Sequence, residues 1–433
     1  MKKEISIFWH RRDLRNFDNA GLYHALKESS NVLPVFIFDT EILNDLDDKA
    51  DARVNFIYNE LLALKKEYEK LGSSIAIEIG KPIDVLKKLS EEYTIKQVFT
   101  NRDYEPYAQK RDKTLHDFFT KKNILFKGFK DQVIFEKNEV IKGDGTPYTV
   151  YTPYSKKWLE KLTPFYLKPY PCEKYYAALI KTKPFPTPPL SAIGFETCKI
   201  TFPPKKTPEK IIKEYHLTRD IPSVNGTSQL SIHLRFGTIS IRQLAHAAKK
   251  LNDKFLNELI WRDFYQAILF HFPETPHSAF KKKYDQIPWR NNEAEFKKWC
   301  DGVTGYPLVD AGMRQLNETG YMHNRVRMVV SSFLVKHLLI DWRWGEAYFA
   351  KKLLDFDLAS NVGGWQWAAS SGCDAAPYFR VFNPTLQAQR FDPNNLYIKK
   401  WVPEFGTKNY PAPMVDHEFA RKRVLEVYKK ALE

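Results

Sequence analysis

Leu358-Ala-Ser-Asn361-Val-Gly363-Gly364-Trp365-Gln-Trp367-Ala-Ala-Ser-Ser-Gly-Cys373 carries no acidic or basic side chain in a chain of which 27% is charged, and Asp357 and Asp374 bracket it. An uncharged run of this length belongs inside a protein, and its plainest reading is a buried helix with two packing tryptophans. The glycine pair argues for something more. Each glycine costs about 1 kcal/mol against alanine in a helix, and the pair is tolerated where a flat or bulky group approaches the backbone. A planar ligand is one such group. Trp365 and Trp367 leave a helix about 200° apart, so one ring cannot duplicate the other.

The sequence around this segment is helical too. From Val326 the apolar residues Val326, Val329, Val330, Phe333, Leu334 and Leu338 recur at steps of three and four, after Thr319-Gly320. Aromatic residues make up 15% of the chain, and eight of the ten tryptophans lie from Trp261 onward. No convincing strand follows Pro208, so 208–433 reads as an all-α domain.

The first part of the chain is built differently. Short apolar runs at Ile5 to Trp9, Val32 to Phe38, Ser74 to Ile79, Gln97 to Thr100 and Ile124 to Phe129 alternate with helix-like stretches such as Arg53 to Leu71 and Glu105 to Lys121. That alternation predicts an α/β domain over 1–130, a doubly wound parallel sheet with helices on both faces. The sheet has neither Gly-x-Gly-x-x-Gly nor Gly-x-x-x-x-Gly-Lys-Ser/Thr, and so lacks the usual phosphate-cradling loop. Between the two domains, eleven prolines from Pro147 to Pro204 mark 131–207 as a long irregular connector.

A length of 433 residues suits two or three domains. The net charge of +15 favours a polyanionic partner, nucleic acid or an anionic membrane surface. No apolar run approaches the roughly 20 residues of a membrane span, and Ile5 to Trp9 begins without a signal-peptide pattern, so a cytoplasmic location is expected. Cys172, Cys198, Cys300 and Cys373 form no Cys-x-x-Cys pair, which predicts reduced, structural thiols. His323 and His337 have no companion at ligand spacing, so no metal site is expected.

Three further segments carry chemistry. Val224-Asn-Gly226-Thr227-Ser228-Gln229-Leu230-Ser231 presents hydroxyls and free amides at a helix start, which suits a pyrophosphate; capping by Thr227 or Ser228 is the plainer reading. In Met322-His-Asn324-Arg325-Val-Arg327-Met328, helical spacing places Asn324, Arg325 and Met328 on one face of about 100° and Arg327 off it. Asp341-Trp342-Arg343-Trp344 and Leu354-Asp355-Phe-Asp357 supply carboxylates suited to Arg327, a ribose or ring N–H groups.

Together with Trp9-His-Arg-Arg12-Asp13-Leu-Arg15, Asn257-Glu258-Leu-Ile-Trp261-Arg262-Asp-Phe-Tyr and Thr304-Gly-Tyr-Pro-Leu-Val-Asp310-Ala-Gly-Met-Arg314-Gln-Leu, these motifs resemble the photolyase/cryptochrome family, most of all its class I cyclobutane pyrimidine dimer photolyases. The likeness runs almost from end to end. It implies FAD, active in its reduced form, in the helical domain, and light-driven repair of damaged DNA by electron transfer to a dimer flipped out of the duplex.

By motif, the resemblance assigns Tyr215, Phe255 and Thr227, Ser228, Gln229, Leu230 and Ser231 to the ribityl and phosphate side of FAD. Glu258 and Arg262 would border flavin and lesion, Asp355 and Asp357 the ring and adenine side, with Arg327 paired to Asp355 and Asn361 facing the flavin. The lesion would lie between Trp261 and Trp367, against Asn324, Arg325 and Met328, while Arg219 and Gln387 would meet the DNA backbone. Glu258 would hydrogen-bond a pyrimidine carbonyl. Trp365, Trp342 and Trp289 match the family's electron relay from the surface to the flavin.

Two departures stand out. Tyr321 occupies a position where many relatives have tryptophan, and the surroundings of Tyr104-Glu105-Pro-Tyr107-Ala108 and of Lys281 look unlike those of folate-binding members. A folate antenna is therefore not expected, which leaves a deazaflavin, a second flavin or an empty antenna site. The resemblance implies damaged DNA as the partner, with no membrane and no obligatory protein partner, and a monomer. A cryptochrome-type photoreceptor is the alternative from another class, and repair of (6-4) photoproducts a further one.

Overall fold

Strands form where the apolar runs lie: β1 (Glu4–His10), β2 (Val32–Asp39), β3 (Ala76–Gly80), β4 (Thr94–Asn101) and β5 (Leu125–Phe129). All pair in parallel in the order β3-β2-β1-β4-β5. Side chains of β1 alternate between two covered faces. Ile5, Ile7 and Trp9 join a core with Val85, Leu86 and Leu89 of one helix and Leu115 and Phe119 of another. Phe8 points the other way, against the helix Ala20–Glu28, so closely that a Cβ on Gly21 would lie 2.8 Å from its ring. Order reverses at β1, so a crevice outside the carboxyl ends of β1 and β4 is expected.

The computed structural model describes residues 2–433. The chain forms two compact units, one of Met1–Glu136, Lys161–Lys206 and Leu230–Lys250, the other of Lys137–Glu160, Thr207–Gln229 and Leu251–Glu433. These divisions do not follow the boundaries at 130 and 207 read from the sequence. The proline-rich stretch is not a connector draped over the surface. It holds the helix Tyr151–Lys161, with Tyr154 and Trp158 buried, and short 3-10 turns at Pro164–Leu167, Cys172–Ala178 and Leu190–Ile193. Ile180 enters the core of the sheet and its amide bonds Val32 O at 3.0 Å. The prolines fix turns here; composition alone read them as irregularity.

In the sheet-containing unit, buried arginines tie loops together. Arg242, on the helix Ile241–Leu251, bonds Asp18 and Asp131 at 2.8 Å each, and Arg15 reaches Asp131 at 2.6 Å. The other unit is built from helices joined by loops, with one isolated bridge between Ile141 and Pro147. Val326, Val329, Val330, Phe333, Leu334 and Leu338 are fully buried in one core with Trp299, Trp342 and Trp365. Their helix, Asn324–Ser332, passes into a π-helical turn at Phe333–His337. The uncharged segment forms the helix Leu358–Ala368, capped by the Asp357 carboxylate on Ser360 N at 3.1 Å. Among the described residues no helix is long and apolar enough to cross a membrane.

Candidate functional site

A cavity of about 530 Å³ opens within the helical unit, and the helix Leu358–Ala368 forms one wall of it through Asn361, Gly364, Trp365 and Trp367. The two glycines have separate reasons. A Cβ on Gly363 would strike the Tyr265 ring at 2.3 Å, whereas one on Gly364 would meet nothing within 4 Å. The protein itself occupies the first space and leaves the second open toward the cavity. Both tryptophans border the cavity despite leaving the helix on different sides. Trp365 is buried edge-on to Phe349 at 5.0 Å and Trp299 at 6.0 Å, while Trp367 is half-buried near Phe382.

Asn361 has its amide nitrogen fixed. Nδ2 donates to Glu346 O at 3.1 Å and Glu346 Oε1 at 2.8 Å. Burial pushes the Glu346 carboxyl above its usual range, and the Asn361 bond opposes this. Arg327 lines the cavity, donating from Nη2 to Asp355 at 3.0 and 3.2 Å and from Nε to Met322 O at 2.8 Å. Asp357 also lines it, yet its carboxylate is taken up by Ser360 and by Gln266 Nε2 at 2.9 and 3.1 Å.

A second wall is the helix Asp253–His271, where Glu258, Trp261 and Tyr265, at helical spacing, meet the cavity. Tyr151 stacks on Trp261 at 3.7 Å with planes 4° apart, and its hydroxyl donates to Asn257 O at 3.0 Å. Glu258 forms an ion pair with Arg219. Burial pushes the Glu258 carboxyl up, and Arg219 pulls it back.

The structure therefore gathers Glu258, Trp261, Arg219 and Met328 around one space with Arg327, Asp355, Asp357, Asn361, Trp365 and Trp367. Other candidate residues lie off it. Arg262, on the same helix as Glu258, does not line the cavity, nor do Asn324 and Arg325. Of the Met322 to Met328 segment, Arg327 borders the cavity paired with Asp355, as expected, and Met328 borders it too, while Arg325 turns to Asp220 at 2.8 Å. Tyr215 and Phe255 are buried edge to face at 5.2 Å. Thr227 does not cap a helix; its hydroxyl meets Tyr321 OH at 3.1 Å, a contact that tryptophan at 321 would lack. The following helix, Ser231–Arg235, has Leu230 at its cap position with no side-chain bond, and Gln229 has φ +53°. Gln387 is half-buried on the helix Pro384–Phe391. Trp342 is buried in the core that holds Trp365, and Trp289 packs against that core and edge-on to Tyr428 at 6.1 Å.

Sequence reading missed Tyr151, Tyr265 and Glu346. Tyr151 sits in the stretch taken for a connector, and the only local signal was an aromatic in Tyr148 to Tyr154 beside prolines. In the sheet unit, Tyr107 of the doubtful antenna segment donates to Asp39 at 2.6 Å and Tyr104 to Glu136 at 2.7 Å.

The donor set fits FAD. The space at Gly364 admits a flat ring, Asp355 and Glu258 suit N–H or hydroxyl donors, and Arg327 and the Asn361 amide supply polar contacts at the wall. Among the described residues no group of three His, Cys, Asp or Glu side chains is placed to hold a metal ion.

Comparison with known proteins agrees with this chemistry. The DNA photolyase family profile matches residues 6–174, and the profile for the FAD binding domain of DNA photolyase matches 255–408. The deoxyribodipyrimidine photo-lyase of Synechococcus sp. is 37% identical, over 98% of this chain and 96% of its own. A bacterial class III photolyase from Agrobacterium tumefaciens superposes with a TM-score of 0.88 at 33% identity, covering 100% of this chain and 98% of its own. An archaeal photolyase from Sulfolobus tokodaii, crystallised with two FAD molecules, gives 0.83 at 33%, covering 99% of this chain and 100% of its own.

Proposed function

The chain belongs to the DNA photolyase family, and from that premise we propose that it is a deoxyribodipyrimidine photo-lyase, an FAD-dependent enzyme that uses light to split cyclobutane pyrimidine dimers in DNA. One observation supports this most: within the segment matched to the FAD-binding domain, the helix Leu358–Ala368 leaves an open place at Gly364 beside Asn361 and Trp365. Bound, reduced FAD supplies light absorption and reversible one-electron donation. The chain's own residues bind, orient and shield.

Asp355, held by Arg327, and Asn361, held by Glu346, would contact the cofactor with fixed polar atoms. Tyr215, Phe255 and the Thr227 to Ser231 turn are assigned to its ribityl and phosphate side, and Arg262 with Asp357 to positions around it. Trp261, kept in place by Tyr151, and Trp367 would receive the two flipped bases from either side, with Met328, Asn324 and Arg325 along the edge. Glu258 would accept or donate at a pyrimidine edge. Arg219 and Gln387 would hold phosphates, which position DNA without reading its sequence. Trp365, Trp342 and Trp289 would carry an electron inward from the surface. The +15 charge supports DNA as the partner.

The Sulfolobus tokodaii relative with two FAD molecules supports a second flavin as the antenna of the sheet-containing unit. A monomer in the cytoplasm completes the reading; elution at the mass of one chain would test the first part. The deciding experiment irradiates FAD-reconstituted, reduced protein with blue light in the presence of an oligonucleotide bearing either a cyclobutane dimer or a (6-4) photoproduct. Restoration of the first substrate alone, and only in light, is expected. Equal turnover in darkness, or repair of the (6-4) lesion instead, would overturn the reading.

A further inference from the structure

Beside the cavity mouth, four side chains alternate in sign: Glu258, Arg219, Asp220 and Arg325. Asp220 is the member that no DNA-binding or cofactor role claims. Its Oδ1 accepts from Arg325 Nε at 3.2 Å and Nη2 at 2.8 Å, and it lies 3.8 Å from Arg219 Nε. Two adjacent guanidinium donors on one oxygen is also how an arginine takes a phosphate oxygen. At 38% side-chain exposure, Asp220 is open to solvent, whereas buried ion pairs elsewhere in the chain are closed off.

We infer that Asp220 is an internal competitor for DNA phosphate: it occupies Arg325 and attracts Arg219 in the free protein, and so restrains binding to undamaged DNA. The inference rests on the reading of Arg219 as a phosphate contact and of Arg325 as a lesion-edge contact, and it extends the reach of Arg325 to the adjoining phosphate. A carboxylate there acts twice. It neutralises a cation that would otherwise release a counterion on binding, and it repels an approaching phosphate. Undamaged duplex, held by phosphate contacts alone, bears the full effect. A dimer complex also gains contacts within the cavity, so it forms in spite of Asp220.

A purely structural role would make Asp220 the residue that holds Arg325 in position. The geometry gives Arg325 other support: its guanidinium lies 4.4 Å from the centre of the Phe391 ring, and Nη1 is 3.6 Å from Met328 Sδ. Arg325 therefore keeps its place when the carboxylate is lost, and becomes available.

The two roles give opposite signs. Binding of the FAD-loaded protein in the dark to undamaged and dimer-containing duplex is measured by fluorescence anisotropy across a salt series, for wild type, Asp220→Asn and Asp220→Glu. Asp220→Asn is expected to bind undamaged duplex about five- to tenfold more tightly at low salt, with the slope of log K against log salt steeper by about one. Asp220→Glu is expected to stay near wild type. Weaker or unchanged binding by Asp220→Asn would overturn the inference. Wild type that fails to prefer the dimer duplex would instead overturn the photolyase reading on which it rests.

Discussion

The sheet unit and the helical unit both gather charged and aromatic side chains at a place where ligands bind in their fold classes, yet they treat them in opposite ways. At the carboxyl ends of β1 and β4, the guanidinium groups of Arg11 and Arg111 each lie 4.8 Å from the Trp9 ring centre, and both arginines are paired, with Asp112 and Asp39. Arg12 and Arg235 share Glu105, at 2.9 and 2.8 Å. Burial is outweighed by arginines at Asp103 and Asp131 and by His10 with backbone and amide hydrogen bonds at Asp13, and all three carboxyls are held below the usual range. In the helical unit burial prevails at Glu258, which lines the cavity, and at Glu346, which holds the cavity residue Asn361, and both carboxyls are pushed above that range. Carboxylates that the protein has satisfied stabilise its fold. A carboxylate whose charge burial disfavours beside an open space, as at Glu258, fits a site that a ligand completes.

The largest test of this contrast is Arg242→Met. Arg242 is buried, and removing it leaves the carboxylates of Asp18 and Asp131 with one partner fewer in a water-poor interior. Breaking such a network costs about 3–5 kcal/mol. Urea unfolding should register that loss, while FAD affinity measured below the transition stays within about twofold of wild type. A loss under about 1 kcal/mol would show that the sheet unit's pairs are no more than surface charge.

The adjacent glycines sharpen the comparison within one helix. Gly363→Ala forces a methyl into Tyr265 and should destabilise the protein by about 1–3 kcal/mol, read as a lower Tm. Gly364→Ala meets no protein atom and should raise the stability of the FAD-free protein by about 0.5–1 kcal/mol, the difference in helix propensity. The same methyl should weaken FAD binding about tenfold in a fluorescence titration. Equal effects of the two substitutions would remove the argument that Gly364 is kept for a ligand.

These tests also mark what the sequence could reveal. All five strands and the helical second half were legible because short apolar runs and a 3.6-residue spacing are written locally. The uncharged segment announced a buried helix, and its glycine pair announced a close approach. Local pattern could not tell that Tyr265 fills the space at Gly363 while Gly364 stays open, since 98 residues separate Tyr265 from Gly363. Tyr151 escaped for the same reason: its stacking partner, Trp261, is 110 residues away, and prolines on both sides hid a helix. The Asn361–Glu346 bond joins two separate helices and the Asp220–Arg325 pair joins a turn to a helix, contacts that no periodicity encodes.

The smallest expected effect is also the one whose sign separates the two units. Asp131 has its carboxyl lowered, burial being overcome by Arg15 and Arg242, so folding favours its ionised form. Its contribution is present above the unfolded value of about 3.9 and is lost as the pH falls through the lower folded value. Glu346 is shifted upward by burial, so folding favours its protonated form; that contribution is complete below about 4.3 and is lost as the pH rises through the higher folded value. Glu346→Gln keeps an acceptor for Asn361 and cannot ionise. Relative to wild type, this variant should be no more stable near pH 4 and progressively more stable toward pH 7, in urea titrations of the FAD-free protein. Asp131→Asn should diverge the other way, costing most at neutral pH and least in acid. If the Glu346→Gln difference shrinks as the pH rises, the carboxylate behind Asn361 is satisfied in the manner of the sheet unit, and the contrast between the two units fails.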